Sequence, residues 1–180
     1  MECTYAPFNW TQSSETASDG GKAVKIYGQN TYAYGYDVMM AKKLADSMGA
    51  TLEVNKIEWD GLAPAVISGK IDAVIAGMSI TSKRKESVDF TKPYYYATVV
   101  ALVKKDSPQA QAKSVADLKG SVATSQLNTI WYDQIDQVPD VKKLPAIDNV
   151  PGMIVALKSG KCNLIVTDIP TAKAAAFANP

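Results

Sequence analysis

Gly-Leu-Ala-Pro-Ala-Val-Ile-Ser-Gly-Lys-Ile-Asp-Ala-Val-Ile-Ala-Gly, residues 61–77, recurs without a gap as Gly-Met-Ile-Val-Ala-Leu-Lys-Ser-Gly-Lys-Cys-Asn-Leu-Ile-Val-Thr-Asp, residues 152–168. Each copy reads as a helix, a Ser-Gly-Lys turn and a buried strand. Any helix–turn–strand unit shares that outline, but here glycine, alanine and the whole Ser-Gly-Lys triplet coincide. The match places Gly77 and Asp168 at corresponding carboxyl ends of strands, where open α/β sheets bind ligands. Two lobes presenting those ends to each other would enclose a cleft.

Outward from the repeat, the chain alternates strands and helices. Val38, Met39, Met40, Leu44 and Met48 recur at helical spacing over Tyr36–Met48, and Gly49 stands where a helix end wants a left-handed residue. Strands are expected at 51–57, 71–76, 88–90 and 98–104, with short helices over 61–68 and after Thr81. Residues 11–34 are polar and turn-rich, a long surface loop or hairpin, and 105–113 resemble an exposed linker or turn. The second half reads as strands 122–125, 142–146 and 163–167 with helices 128–135, 152–158 and 170–177. The pattern predicts an α/β protein of two lobes, residues 1–95 and 96–180, with mostly parallel sheets flanked by helices and crossing strands near 90–104.

Composition narrows the chemistry. The 180 residues carry 19 basic and 18 acidic side chains, so no basic excess exists to track nucleic-acid phosphates. There is no histidine, which removes the usual neutral-pH general base and the commonest nitrogen ligand for zinc. No cofactor or metal is expected. No apolar run approaches a membrane span, and no signal-like segment opens the sequence. Cys3 and Cys162 match no metal or redox spacing and read as buried small hydrophobes.

Arg84 is the one arginine beside 18 lysines. Thr81 or Ser82 is a good N-cap, which would gather amide N–H groups and the guanidinium at the end of the strand that stops at Gly77. A planar guanidinium matches a carboxylate in a two-pronged way that lysine cannot reproduce. The plainer alternative is an ion pair with Glu86 or Asp89.

Gly77-Met-Ser-Ile-Thr-Ser-Lys-Arg-Lys-Glu-Ser-Val-Asp-Phe-Thr-Lys-Pro-Tyr-Tyr95 resembles the central motif of the polar amino-acid binding proteins of ABC importers, which have the type II periplasmic binding fold. The opening Glu2–Trp10 stretch, Tyr34-Gly-Tyr-Asp-Val38, Trp59-Asp-Gly-Leu62, Asp117-Leu-Lys-Gly120 and Ile165-Val-Thr-Asp-Ile-Pro170 follow in the family's order. The resemblance implies a non-enzymatic, extracytoplasmic receptor that closes by a hinge on a free polar amino acid and delivers it to a membrane permease. It implies that Arg84 grips the ligand carboxylate, that Gly77 and Ser79 serve the head group, and that Asp168 receives the ammonium. Tyr5 and Trp59 would sandwich the ligand side chain, or else pack as ordinary core. Glu2 beside those rings would favour lysine or arginine, with glutamine next, unless it is a frayed chain end.

Thr129 aligns with a contacting threonine, although Leu127 replaces the family's usual glycine before it. Tyr94-Tyr95-Tyr96 reads as hinge and cleft wall, or as edge packing. Relatives continue with a strand returning to the first lobe and a terminal helix. The chain is therefore expected to be a shortened form lacking a signal or lipid anchor, with weak binding or exchange of segments in a dimer. Some relatives of the fold are enzymes, such as dehydratases of cyclic amino-acid precursors, and Glu2 or Asp168 would then act as a general acid. A third alternative is the ligand-sensing domain of a receptor.

Overall fold

In the computed structural model, which describes residues 1–180, the chain begins with a sheet of short antiparallel strands. β1 (Thr4–Tyr5), β2 (Asn9–Gln12), β3 (Val24–Lys25) and β4 (Tyr32–Tyr34) stack in the order β1-β2-β4-β3, with Tyr5 opposite Asn9, Trp10 opposite Tyr34 and Val24 opposite Ala33. The hairpin alternative thus describes residues 11–34. Trp10 packs edge-on against Tyr34, whose ring joins Ala17 and Ala23 in a small apolar cluster.

β4 runs directly into α1 (Tyr36–Ser47) through Gly35. Gly35 has φ +125°, and a Cβ there would collide with the carbonyls of Pro7 and Phe8. Only glycine permits this close crossing. α1 ends as its apolar spacing predicts, one residue short of the expected Met48, with left-handed Gly49 following. Its Val38 and Ala41 are buried with Cys3, Ile26, Ala33 and Val54 in the main core of this first unit, Met1–Tyr96.

α2 (Leu62–Ile67) follows a 3-10 turn at Trp59–Gly61, and α3 (Ser82–Lys85) is capped by Thr81, whose side chain accepts from the Arg84 N–H at 3.2 Å. The strands expected at 51–57, 71–76 and 88–90 do not form. Residues 51–57 contribute a single parallel bridge, Ile26 to Val54. Residues 71–76 have exposed Asp72 and Ala73, and only Ala76 is buried. A parallel strand depends on burial of both faces, which these segments lack. Mostly parallel pairing is therefore not what the first unit shows; its sheet is antiparallel.

The second unit, Ala97–Pro180, contains β5 (Val99–Leu102), β6 (Val122–Thr124), α4 (Ile130–Gln134), β7 (Lys142–Lys143), α5 (Val150–Lys158), β8 (Leu164–Asp168) and α6 (Ile169–Ala178). Its sheet has the order β5-β8-β6-β7. β6 pairs in parallel with β7 and β8, whereas β5 runs antiparallel to β8 from Val99–Asp168 to Leu102–Ile165. β8 is buried at all five positions, as an inner strand covered on both faces should be. Leu164, Val166, Ala123, Ile135, Leu118 and Val138 form the core. Residues 108–111 and 115–118 are 3-10 turns, so of the linker or exposed turn expected at 105–113 the turn forms. Cys3 and Cys162 are buried, free thiols.

The two copies of the repeat share most of the hydrogen bonds of their turn. The Ser68 hydroxyl donates to Ala65 O and the Ser159 hydroxyl to Ala156 O, both at 3.1 Å. Ile71 N donates to Ala65 O as Cys162 N does to Ala156 O. Gly69 and Gly160 take φ +71° and +78°, the left-handed conformation that closes each helix end. The copies part after the turn, where only the second becomes a strand.

Candidate functional site

Arg84 is the centre of the first group. Because Thr81 caps α3, the helix starts at Ser82 and places the Arg84 side chain back toward residue 79. Its Nη1 donates to the Ser79 carbonyl at 2.7 Å, and its guanidinium carbon lies 5.5 Å from the centre of the Trp59 ring. Cation–π attraction and the carbonyl bond together restrain a side chain that would otherwise sample many rotamers. Burial lowers the guanidinium pKa, although arginine remains charged at any ordinary pH.

Tyr5 and Gly77 make the second contact. The Tyr5 ring is stacked on Phe8, with centroids 4.9 Å apart, and its Cε1 lies where a Gly77 Cβ would be only 2.9 Å away. Gly77 has φ +60°. Ring contact and backbone conformation therefore both call for glycine. Trp59 is buried with Leu62 and Ala76, so its core packing and its contact with Arg84 coexist. Glu2 is buried rather than frayed, and its Oε1 accepts from the Thr4 hydroxyl at 2.9 Å.

Tyr94, from the run expected as hinge and cleft wall, lies behind Gly77 with two residues not singled out for the site, Asp37 and Asn9. The Gly77 N–H donates to the Tyr94 hydroxyl at 2.9 Å, and that hydroxyl donates to Asp37 Oδ1 at 2.7 Å. The other Asp37 oxygen accepts from Asn9 Nδ2 at 2.7 Å. Asp37 and Asn9 are fully buried. Burial raises the Asp37 pKa, while bonds from Tyr94 and Asn9 pull it back down. Burial and the neighbouring Asp37 charge raise the Tyr94 phenol. The available signal was an aspartate within an apolar helix start, Tyr36-Asp37-Val38.

In the second unit, Asp168 ends β8 and caps α6. It is fully buried, and its Oδ1 accepts from Thr171 N at 2.8 Å. Thr129 caps α4, but its hydroxyl donates to Gln126 O at 2.7 Å instead of accepting from the helix. β6 and β8 are parallel neighbours, so Thr129 and Asp168 both follow carboxyl ends of adjacent strands. Ser125 ties those ends together by donating to Val166 O at 2.6 Å. The Leu127 N–H is taken by Ile147 O at 2.9 Å, and the left-handed residue of this turn is Asn128, φ +55°. The structure thus groups Arg84, Ser79 and Trp59, and Tyr5 with Gly77, in the first unit. No cluster of histidine, cysteine or carboxylate side chains capable of holding a metal ion is present.

A family model for bacterial extracellular solute-binding proteins, family 3, matches residues 16–144. A probable histidine-binding protein of Campylobacter jejuni is 31% identical over 176 residues, covering 98% of this chain and 61% of that protein. ABC transporter arginine-binding protein 1 of Escherichia coli K12 is 35% identical over 142 residues, covering 78% and 56%. Among solved structures, an ancestral arginine-binding protein bound to glutamine superposes with a TM-score of 0.81 at 35% identity, covering 99% of this chain and 72% of that one. The chain spans a little over half the length of the curated relatives it matches.

Proposed function

The chain belongs to the bacterial extracellular solute-binding proteins, family 3, and from that premise we propose that it captures a free polar amino acid for delivery to an ABC importer. Residues 1–95 and 96–180 are proposed as its two ligand-binding lobes. Arg84 takes the α-carboxylate through its two-pronged guanidinium, Gly77 and Ser79 serve the head group, and Asp168 takes the ammonium. Tyr5 and Trp59 flank the ligand side chain, Glu2 favours a cationic one, and Thr129 supports the head group from the second unit. Arginine, lysine and glutamine are the ligands of choice, in keeping with relatives described as arginine- and histidine-binding and a neighbour bound to glutamine.

The observation that carries this reading is the restraint on Arg84. The Ser79 carbonyl at 2.7 Å and the Trp59 ring hold the guanidinium through contacts within the protein itself. Prior ordering of that kind reduces the entropy lost on binding. The solute-binding family supports a receptor over an enzyme, working outside the cytoplasm with the permease as its proposed partner. Calorimetric titration with arginine, lysine, glutamine, histidine and cystine tests the proposal. Saturable binding of at least one is expected, and no heat from any would overturn it.

A further inference from the structure

The bonds behind Gly77 form a chain with a fixed direction. A backbone N–H can only donate, so the Tyr94 oxygen must accept from Gly77 and send its single proton to Asp37. The remaining Asp37 oxygen takes the Asn9 amide N–H, which turns the Asn9 carbonyl toward the Cys3 N–H, 2.6 Å away. Every member has one role. Reversing the Asn9 amide would set an NH2 group against a buried N–H, a penalty the burial makes severe. Asn9 opens β2, Asp37 lies in the first turn of α1, and Tyr94 follows Pro93. Three separate segments therefore converge on one glycine.

Resting on the ligand reading above, we propose that Tyr94 and Asp37 are positioning residues that set the hydrogen-bonding character of Gly77, consuming its N–H so that the residue offers a ligand only an acceptor. Gly77 lies two residues before Ser79, whose carbonyl holds Arg84, so an acceptor there selects a primary ammonium on a ligand held by Arg84 and disfavours an amino acid whose nitrogen is acylated. The left-handed conformation of Gly77 and the Tyr5 ring, which fills the space a Cβ would take, also restrain the residue. The raised phenol pKa keeps the Tyr94 proton in place across the working pH range.

Two measurements on Tyr94→Phe decide this, with Asp37→Asn as a second variant and Tyr36→Phe as a control. The Tyr36 hydroxyl donates to the Tyr94 carbonyl and takes no part in the relay. First, amide hydrogen exchange of Gly77 in the ligand-free protein is expected to be at least tenfold faster in Tyr94→Phe and unchanged in Tyr36→Phe. Second, the preference for arginine over Nα-acetylarginine is expected to fall about tenfold in Tyr94→Phe and Asp37→Asn. A general loss of fold would weaken both ligands alike and leave that ratio unmoved. Unchanged Gly77 exchange would overturn the proposal, and so would faster exchange with an unchanged ratio. Failure of the parent chain to bind arginine or any other amino acid would instead overturn the ligand reading, and the exchange measurement, made without ligand, tells the two failures apart.

Discussion

The Arg84 guanidinium faces the Trp59 ring at 5.5 Å while one of its nitrogens is bonded to the Ser79 carbonyl. The cation is thus oriented by a ring that itself belongs to a buried cluster with Leu62 and Ala76. Arg84→Lys keeps the charge and loses both the fork and the stacking plane. Arginine affinity is expected to fall at least tenfold by calorimetry, with a melting temperature close to the parent's. Undiminished affinity would remove Arg84 from the carboxylate role.

Asp168 combines a cap with a proposed charge, and two substitutions separate them. Asp168→Ala deletes the acceptor for Thr171 N and should cost about 0.5–2 kcal/mol of stability, the usual range for a lost N-cap. Asp168→Asn keeps an acceptor oxygen and loses the charge, so it should retain most of that stability while ligand affinity drops. Urea unfolding and titration of both variants test this; equal loss of affinity and stability in the asparagine variant would make Asp168 a cap only.

Asp37 gives the first unit a pH signature. Its folded-state pKa lies above the unfolded value of 3.8, chiefly because burial disfavours the charge. The contribution to stability is therefore complete below the unfolded value and declines as pH rises through the folded one, by about 1.4 kcal/mol for each unit of displacement. Urea unfolding between roughly pH 3.5 and 7 should show the parent losing stability relative to Asp37→Asn as pH increases. A constant difference across that range would contradict the assignment.

Thr171 offers a test of a different kind. Its hydroxyl is buried at the first turn of α6 and has no hydrogen-bond partner. Replacing that oxygen with a methyl of similar size removes an unsatisfied polar group, so Thr171→Val should raise stability by about 1 kcal/mol. A lower melting temperature for Thr171→Val would show that the hydroxyl is satisfied in solution.

Local signals in the sequence carried over well. The Thr81-Ser82 pair marked the start of α3 with either residue as cap, apolar spacing marked α1, and Ser-Gly-Lys marked two helix ends, because each of these is decided within a turn or two of chain. The parallel strand expected at 71–76 did not form, since an apolar run becomes a strand only when a neighbour supplies the other half of its ladder. The strand expected at 98–104 formed as β5, but its antiparallel pairing was hidden, because its partner β8 lies far along the sequence. At the candidate site, Arg84 stood out by composition. Asp37 and Asn9 did not, and Tyr94 was marked only as part of a cleft-wall tyrosine run, because the bonds that join the three come from distant segments.

The duplicated turn bears on how the chain reaches this structure. Its hydrogen bonds close within Pro64–Ile71 in one copy and Val155–Cys162 in the other. Closing so short a loop takes on the order of 10–100 ns and requires no distant contact. Each unit thus holds a turn whose hydrogen bonds draw on no residue of the other unit.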